Sequence, residues 1–372
     1  MIAVSERTAL LASAAAQWRD PQSAVRREAR AALLDGPWSQ PVVETALDSA
    51  LWDLDASRAA EFAPPTAPDP MPVLVVLPGN VIGPALASSF CAAIAGARAI
   101  LKSAGPERAL APIVARQFDA IGPQFEGTID ARYWRGGDDA IEAEIFGAVR
   151  KIIVFGSDAT CADVRARANH ADVVSYGDAY SIGFIAAGAD YRAAAADAAI
   201  DICIFDQRGC LSPQTIYVEG DAGSAVLFAR ALAGALEAAA EVYPLGKPDA
   251  EEPAQAAAWV RHLSVSAIAA VTHGLDTLVV GAERDGRPEY IIGVVPFGNP
   301  VCAGFGRIVA VMPCSAPPPL RRRGTLDTIG VAGVRTKLVH DTLRAAAPSR
   351  VCPLGAMQRP PFGYRPKPSD FA

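Results

Sequence analysis

Residues 206–214 read Asp206-Gln207-Arg208-Gly209-Cys210-Leu211-Ser212-Pro213-Gln214 and place one thiol in a short polar loop between a helical stretch and a strand. A thiol so placed can face a reacting carbonyl while neighbouring backbone N–H groups and Arg208 lower its pKa and hold an oxyanion. A second candidate is Leu77-Pro78-Gly79-Asn80, at the end of an apolar run, where α/β sheets receive ligands; the Asn80 amide is a potential oxyanion donor. Lys102 and Ser103 follow another apolar run, and a lysine there reaches a cofactor hydroxyl or phosphate. Gly156 and Ser157 mark a strand-to-helix junction whose helix N-terminus suits an anion, although no G-x-G-x-x-G is present. Each segment also has a structural reading: a buried hinge cysteine, a turn, a solvated lysine and an N-cap. Cys302, in the Gly-rich stretch 298–304, is a competing nucleophile.

The elements that must position these residues follow from periodicity. Residues 6–34 read as an alanine- and arginine-rich helix, 41–54 as another, and 62–72, rich in proline, as a linker. From residue 73 short β-rich runs (73–77, 99–101, 129–134, 151–155, 172–175) alternate with helical stretches (85–97, 107–121, 139–150, 158–167, 191–204), the pattern of a mostly parallel, doubly wound sheet. Beyond the thiol, 214–219 reads as a strand. Helices are expected at 222–242, 252–264 and 334–347, and extended segments at 277–280, 290–296 and 307–312. The expected organisation is an N-terminal nucleotide-binding domain over 1–205, a thiol-bearing α/β domain over 206–345, and a tail over 346–372.

Composition narrows the chemistry. The chain has 372 residues, 51% hydrophobic and 20% charged, with a formal net charge of −6, which excludes a disordered chain. Only five basic residues are lysines, and the acidic balance disfavours nucleic acid; the Arg321, Arg322, Arg323 cluster reads as a solvated loop. Seven cysteines with no C-x-x-C, and four histidines with no paired spacing, lead to no metal site and no disulfide framework. The uncharged run 71–97 is long enough for a bilayer, but Pro72, Pro78 and Pro84 break it, so a membrane span is not expected. No secretory signal pattern opens the chain, so a cytoplasmic location is expected.

Taken in order, the Asn80 turn, the strand ending at Lys102, the Gly156-Ser157 junction and Cys210 opening a second domain resemble the aldehyde dehydrogenase superfamily. Within it the resemblance is to the LuxC-type acyl-CoA reductases, and it is strongest at Gly79-Asn80, at 206–214 and at 352–358. The resemblance implies an aldehyde-dehydrogenase-like fold: a Rossmann-type parallel-sheet nucleotide domain plus an α/β catalytic domain. It implies that Cys210 attacks an acyl-CoA or other acyl thioester, and that hydride from NADPH, with NADH as the alternative, releases an aldehyde. Asn80 and the Cys210 backbone N–H would form the oxyanion hole; Lys102 and Ser103, with Gly156 and Ser157, would contact the cofactor. The stretch 174–178 lacks the general-base Glu of hydrolytic relatives, and Gly105 replaces an acidic ribose contact, which leaves room for a 2′-phosphate. Cys161 stands where many relatives have a second glycine. An acyl-protein synthetase partner and a homo-oligomer are also implied. An aldehyde-oxidising, CoA-acylating dehydrogenase and an inactive nucleotide- or partner-binding scaffold remain as alternatives.

Overall fold

The computed structural model describes residues 3–65, 69–248, 278–281, 283–284, 287–295, 306–315, 325–333 and 345–368, with a few single positions between them. Cys302, the Arg321–Arg323 cluster and most of the expected helices 252–264 and 334–347 lie outside the described residues.

The chain divides into two compact units. The first holds residues 1–36, 43–178 and 359–372. Its N-terminal helices are α1 (Val4–Arg19), α2 (Ala24–Leu33), α3 (Gln40–Ala50), whose first turn counts with the second unit, and α4 (Ala56–Phe62). The single helix expected over 6–34 is thus two. Pro21 lacks an amide hydrogen, and Ser23 starts α2 by accepting from the Arg26 N–H at 3.2 Å. A five-stranded sheet follows, built from β1 (Val73–Val76), β2 (Ala99–Lys102), β3 (Ile129–Arg132), β4 (Lys151–Phe155) and β5 (Asp172–Tyr176). The strands are all parallel, in the order β3-β2-β1-β4-β5. The connections are α5 (Gly83–Ala95), α6 (Leu110–Ile121), α7 (Asp139–Gly147) and α8 (Asp158–Arg167). Leu74, Val76, Ile152 and Val154 pack with Ile145, Phe146 and Val164 on one sheet face. Phe90 and Phe118, 5.1 Å apart, join α5 to α6.

The far end of the chain closes this unit. Phe362 meets Phe62 edge-on at 5.5 Å, its N–H donates to Asp53 at 2.8 Å, and the Trp52 indole donates to the Pro360 carbonyl at 2.9 Å. Gly363, at φ +79°, has its α-carbon so near the Phe62 ring that a Cβ would sit 2.1 Å from it.

The second unit holds residues 37–42 and 179–358. Its elements are β6 (Ala179–Ile185), α9 (Tyr191–Cys203), β7 (Pro213–Glu219), α10 (Ala222–Val242), β8 (Leu278–Val280), the small pair β9 (Glu283–Arg284) and β10 (Arg287–Pro288), then β11 (Ile291–Val294), β12 (Ile308–Cys314), β13 (Thr325–Ala332) and β14 (Arg350–Pro353). The main sheet runs β14-β13-β6-β7-β12-β11-β8, parallel except for β8. Alternation along the strands fills both faces: Ile216, Val218, Val309 and Val311 meet α9 and α10, while Tyr217, Ile308 and Ala310 face a second cluster. The division at 178/179 differs from the 205/206 boundary expected from sequence, because β6 pairs with β7 and β13 and α9 packs on that sheet. Strands β6, β13 and β14 were not anticipated. Ser181 and Gly183 interrupt β6, and only Gly177 and Asp178 separate it from β5 in the other sheet.

Candidate active site

The carboxyl ends of the parallel strands gather the first unit's candidates. β1 pairs with both β2 and β4, so the strand order reverses there and the Asn80 turn and the Gly156-Ser157 junction leave neighbouring strands. Asn80 is exposed. Gly79 allows a close approach at the turn: a Cβ would lie 3.0–3.2 Å from Pro106 and Ala104. Ser157 caps α8 by accepting from the Thr160 N–H at 3.2 Å. Cys161, on the same helix, is fully buried among Leu74, Val76 and Val154, so its thiol is part of the core.

Lys102 ends β2, and its Nζ stands 5.2 Å from the centroid of the Trp134 ring. That ring is fixed in turn, since its indole N–H donates to Glu142 at 3.0 Å and Glu142 pairs with Arg167. Desolvation draws the Lys102 ammonium below its ordinary value, and the Glu142 charge opposes this. Ser103 is buried, with its N–H on the Arg132 carbonyl at 2.9 Å. Past it, the Gly105 Cβ position is open, with no atom within 4 Å. The nearest acid in sequence, Glu107, turns inward and accepts from the Ala109 and Leu110 N–H groups at 2.7 and 2.8 Å. Arg108 is exposed; its guanidinium lies 3.6 Å over the Tyr133 ring and its Nε donates to the Gly105 carbonyl at 3.0 Å.

In the second unit, Cys210 sits on the loop before β7, at the amino edge of the parallel sheet, and is exposed. Three successive non-glycine residues ahead of it are left-handed: Phe205 (φ 59°), Asp206 (φ 50°) and Gln207 (φ 64°). Each such residue costs about 1–2 kcal/mol and persists only where its surroundings hold it. Here they do. The Asp206 carboxylate accepts from Arg307 Nη2 at 2.7 Å and Nε at 3.1 Å, and from the Gly246 N–H at 2.9 Å. The Gln207 amide donates to the Pro213 carbonyl at 2.8 Å and accepts from the Ile308 N–H at 2.7 Å. The Ser212 hydroxyl accepts from Gln358 at 2.8 Å. The acid and amide of the motif are therefore anchors for the loop that carries Cys210.

Arg208, expected from sequence to lower the thiol's pKa, instead lies 3.7 Å from Asp206 and donates to the Lys247 carbonyl at 2.9 Å. The Cys210 thiol is 3.3 Å from Oδ2 of Asp327, a carboxylate buried on β13. Solvent reaches Cys210, yet desolvation by the dense protein around its sulfur, followed by the charge and hydrogen bond of Asp327, pushes the thiol well above its ordinary range. The Arg350 charge works the other way. Asp327, Ser181 and Trp134 were not found in sequence. The available signal was a polar pair, Asp327-Thr328, interrupting an otherwise apolar strand.

Helices on both faces of one sheet, and a thiol loop entering a second, define the architecture of an aldehyde dehydrogenase. Solved structures agree: an aldehyde dehydrogenase from Pseudomonas aeruginosa has a TM-score of 0.71 at 17% identity over 94% of this chain and 76% of that one. A salicylaldehyde dehydrogenase from Pseudomonas putida G7 has 0.69 at 16%, over 95% and 78%. A profile of the family described as acyl-CoA reductase (LuxC) matches residues 65–365, and the chain belongs to that family. A long-chain acyl-protein thioester reductase of Photobacterium leiognathi is 30% identical over 183 residues, 48% of this chain and 38% of that protein. One from Photorhabdus laumondii is 31% identical over the same proportions. The matched stretch thus spans less than half the length of these relatives. Among the described residues no helix is long and apolar enough to cross a membrane, and no cluster of potential metal ligands occurs.

Proposed function

We propose that the chain reduces an activated acyl thioester to an aldehyde, with Cys210 as the acyl-accepting nucleophile. The observation that carries this reading is the Cys210 loop: three left-handed residues held by Asp206 and Gln207 present one exposed thiol at the position of the family's motif. Cys210 takes the acyl group from a thioester, whether acyl-CoA, as in the family's description, or an acyl-protein, as in the relatives' names. The Cys210 backbone N–H is the donor that the loop itself offers to the oxyanion. Residues 174–178 read Val174-Ser175-Tyr176-Gly177-Asp178 and offer no glutamate to activate water, so the acyl group awaits reduction.

A nicotinamide dinucleotide fits the residues of the first unit. The reversal of strand order between β2-β1 and β4, the α8 N-terminus at Gly156-Ser157, and Lys102 with Ser103 would hold it. When bound in reduced form it supplies the hydride. NADPH is favoured over NADH: Gly105 leaves open space, Glu107 is turned into the α6 cap, and Arg108 stands exposed beside Gly105, so a 2′-phosphate meets cations and no carboxylate from this loop. An acyl-protein synthetase is the proposed partner if the donor is an acyl-protein.

The test is incubation with a panel of acyl-CoAs and NADPH, following aldehyde release and intact mass with peptide mapping. Acylation at Cys210 and loss of aldehyde in Cys210→Ala are expected. Aldehyde production that survives Cys210→Ala refutes the mechanism.

A further inference from the structure

The strands beneath the Cys210 loop are irregular at one place. On β13, Leu326 pairs with Tyr180 and Ile329 with Ile182, so Asp327 and Thr328 together oppose the single residue Ser181. On the other side of β6, Ser181 pairs with Pro213 and Ile182 with Thr215, so Gln214 is also supernumerary. Bulges are rare in parallel sheets and re-aim side chains next to active sites. Ser181 joins the two: its hydroxyl donates to the Cys210 carbonyl at 2.6 Å and accepts from the Thr328 N–H at 3.1 Å. The carbonyl of the thiol residue is thereby tied to the bulge that carries Asp327. The Asp327 carboxylate, fully buried, receives the Cys210 thiol on Oδ2 at 3.3 Å and the Thr328 hydroxyl on Oδ1 at 3.3 Å.

We propose that Asp327 is the catalytic base for Cys210: its carboxylate takes the Sγ proton as sulfur attacks the thioester carbonyl, and returns that proton to the departing thiolate. The step is Cys–SH + R–CO–SR′ → Cys–S–CO–R + HSR′. One C–S bond forms, one breaks, and nothing is oxidised. Asp327 is regenerated, since the proton it takes from sulfur leaves on HSR′. The arrangement keeps Cys210 a thiol until substrate arrives, because thiolate beside a buried carboxylate is disfavoured, and couples its deprotonation to bond formation. Asp327 and Arg350 are the charged groups that act most strongly on the thiol, with opposite effects. The inference rests on the reading of Cys210 as the acyl acceptor.

Two reagents separate the roles. Iodoacetamide needs only thiolate, whereas acylation by a saturating acyl-CoA needs the proton moved within the complex. In Asp327→Asn, with similar volume and no charge, the thiol is easier to ionise. Alkylation near pH 8 is then expected to quicken several-fold, while the acylation rate by intact mass falls about 10²-fold or more. Asp327→Glu, which keeps a carboxylate, should acylate faster than Asp327→Asn. Acylation that quickens alongside alkylation, or that falls by less than about threefold in Asp327→Asn, overturns the proposal. The native chain supplies a test that no misfolded variant can confuse: its acylation rate should drop in D2O, and equal rates in H2O and D2O also overturn it. If the native chain is never acylated at Cys210, it is the reading of Cys210 that fails.

Discussion

Replacing Asp206 with alanine removes a carboxylate whose side chain is only 3% exposed and leaves Arg307, at 1%, as a buried cation with the Tyr243 carbonyl as its remaining described partner. Two donors of Arg307 and the Gly246 N–H lose their acceptor at once. Breaking a buried pair from one side costs about 3–5 kcal/mol, most of it the desolvated charge left behind. For a unit of this size 1 kcal/mol moves the midpoint by about 2–4 °C, so a fall on the order of 10 °C is expected in the transition of the second unit. The left-handed run at 205–207 also loses its main restraint, and the Cys210 loop should relax. The assay is differential scanning calorimetry paired with the iodoacetamide rate at Cys210. The double variant Asp206→Ala/Arg307→Met separates charge from packing: with no orphaned cation it should recover a large part of the lost midpoint. A double variant as unstable as the sum of its singles, or an Asp206→Ala midpoint within about 2 °C of native, refutes the buried-charge account.

Other expectations follow from single contacts. Gly105→Glu fits the open space beside Lys102 and places a carboxylate where a 2′-phosphate would lie, so kcat/KM for NADPH should fall about tenfold or more while that for NADH holds. Steady-state kinetics with both cofactors checks it. Asp201, pushed up to about 7 by burial despite the Gly355 and Met357 N–H groups, is more protonated folded than unfolded between pH 4 and 7. Stability from this group therefore falls as pH rises through that window, by at most about 1.4 kcal/mol per pH unit. Denaturant midpoints of the native chain and Asp201→Asn across pH 4–8 should differ most steeply there. Gly330→Ala would set a Cβ 2.4 Å from the Met357 sulfur and 2.7 Å from Leu354, and should cost about 1–3 kcal/mol in a thermal melt.

The first unit was largely readable because its rules are local. Lys151–Phe155 is a short β-branched apolar run and Asp158–Arg167 a helix behind a Ser157 cap, and their bounds agree with the structure. The second sheet was less so, since β6 and β13 carry Ser181, Gly183, Asp327 and Thr328 inside apolar runs, and pairing with distant strands overrides their weak local preference. The candidate nucleophile announced itself through its motif. Asp327 could not, because it is 117 residues away and only a bulge turns it to the thiol.

The C-terminal segment that packs on Phe62, Asp53 and Trp52 gives the chain an order of assembly. The first unit joins residues before 179 to residues 359–372, so synthesis delivers its sheet well before the segment that packs on Phe62. The second unit, a nearly continuous stretch, can complete its core while the first still lacks residues 359–368. During synthesis the first unit waits for the second, and a nascent chain stalled before residue 359 should expose Phe62 to chaperones and proteases.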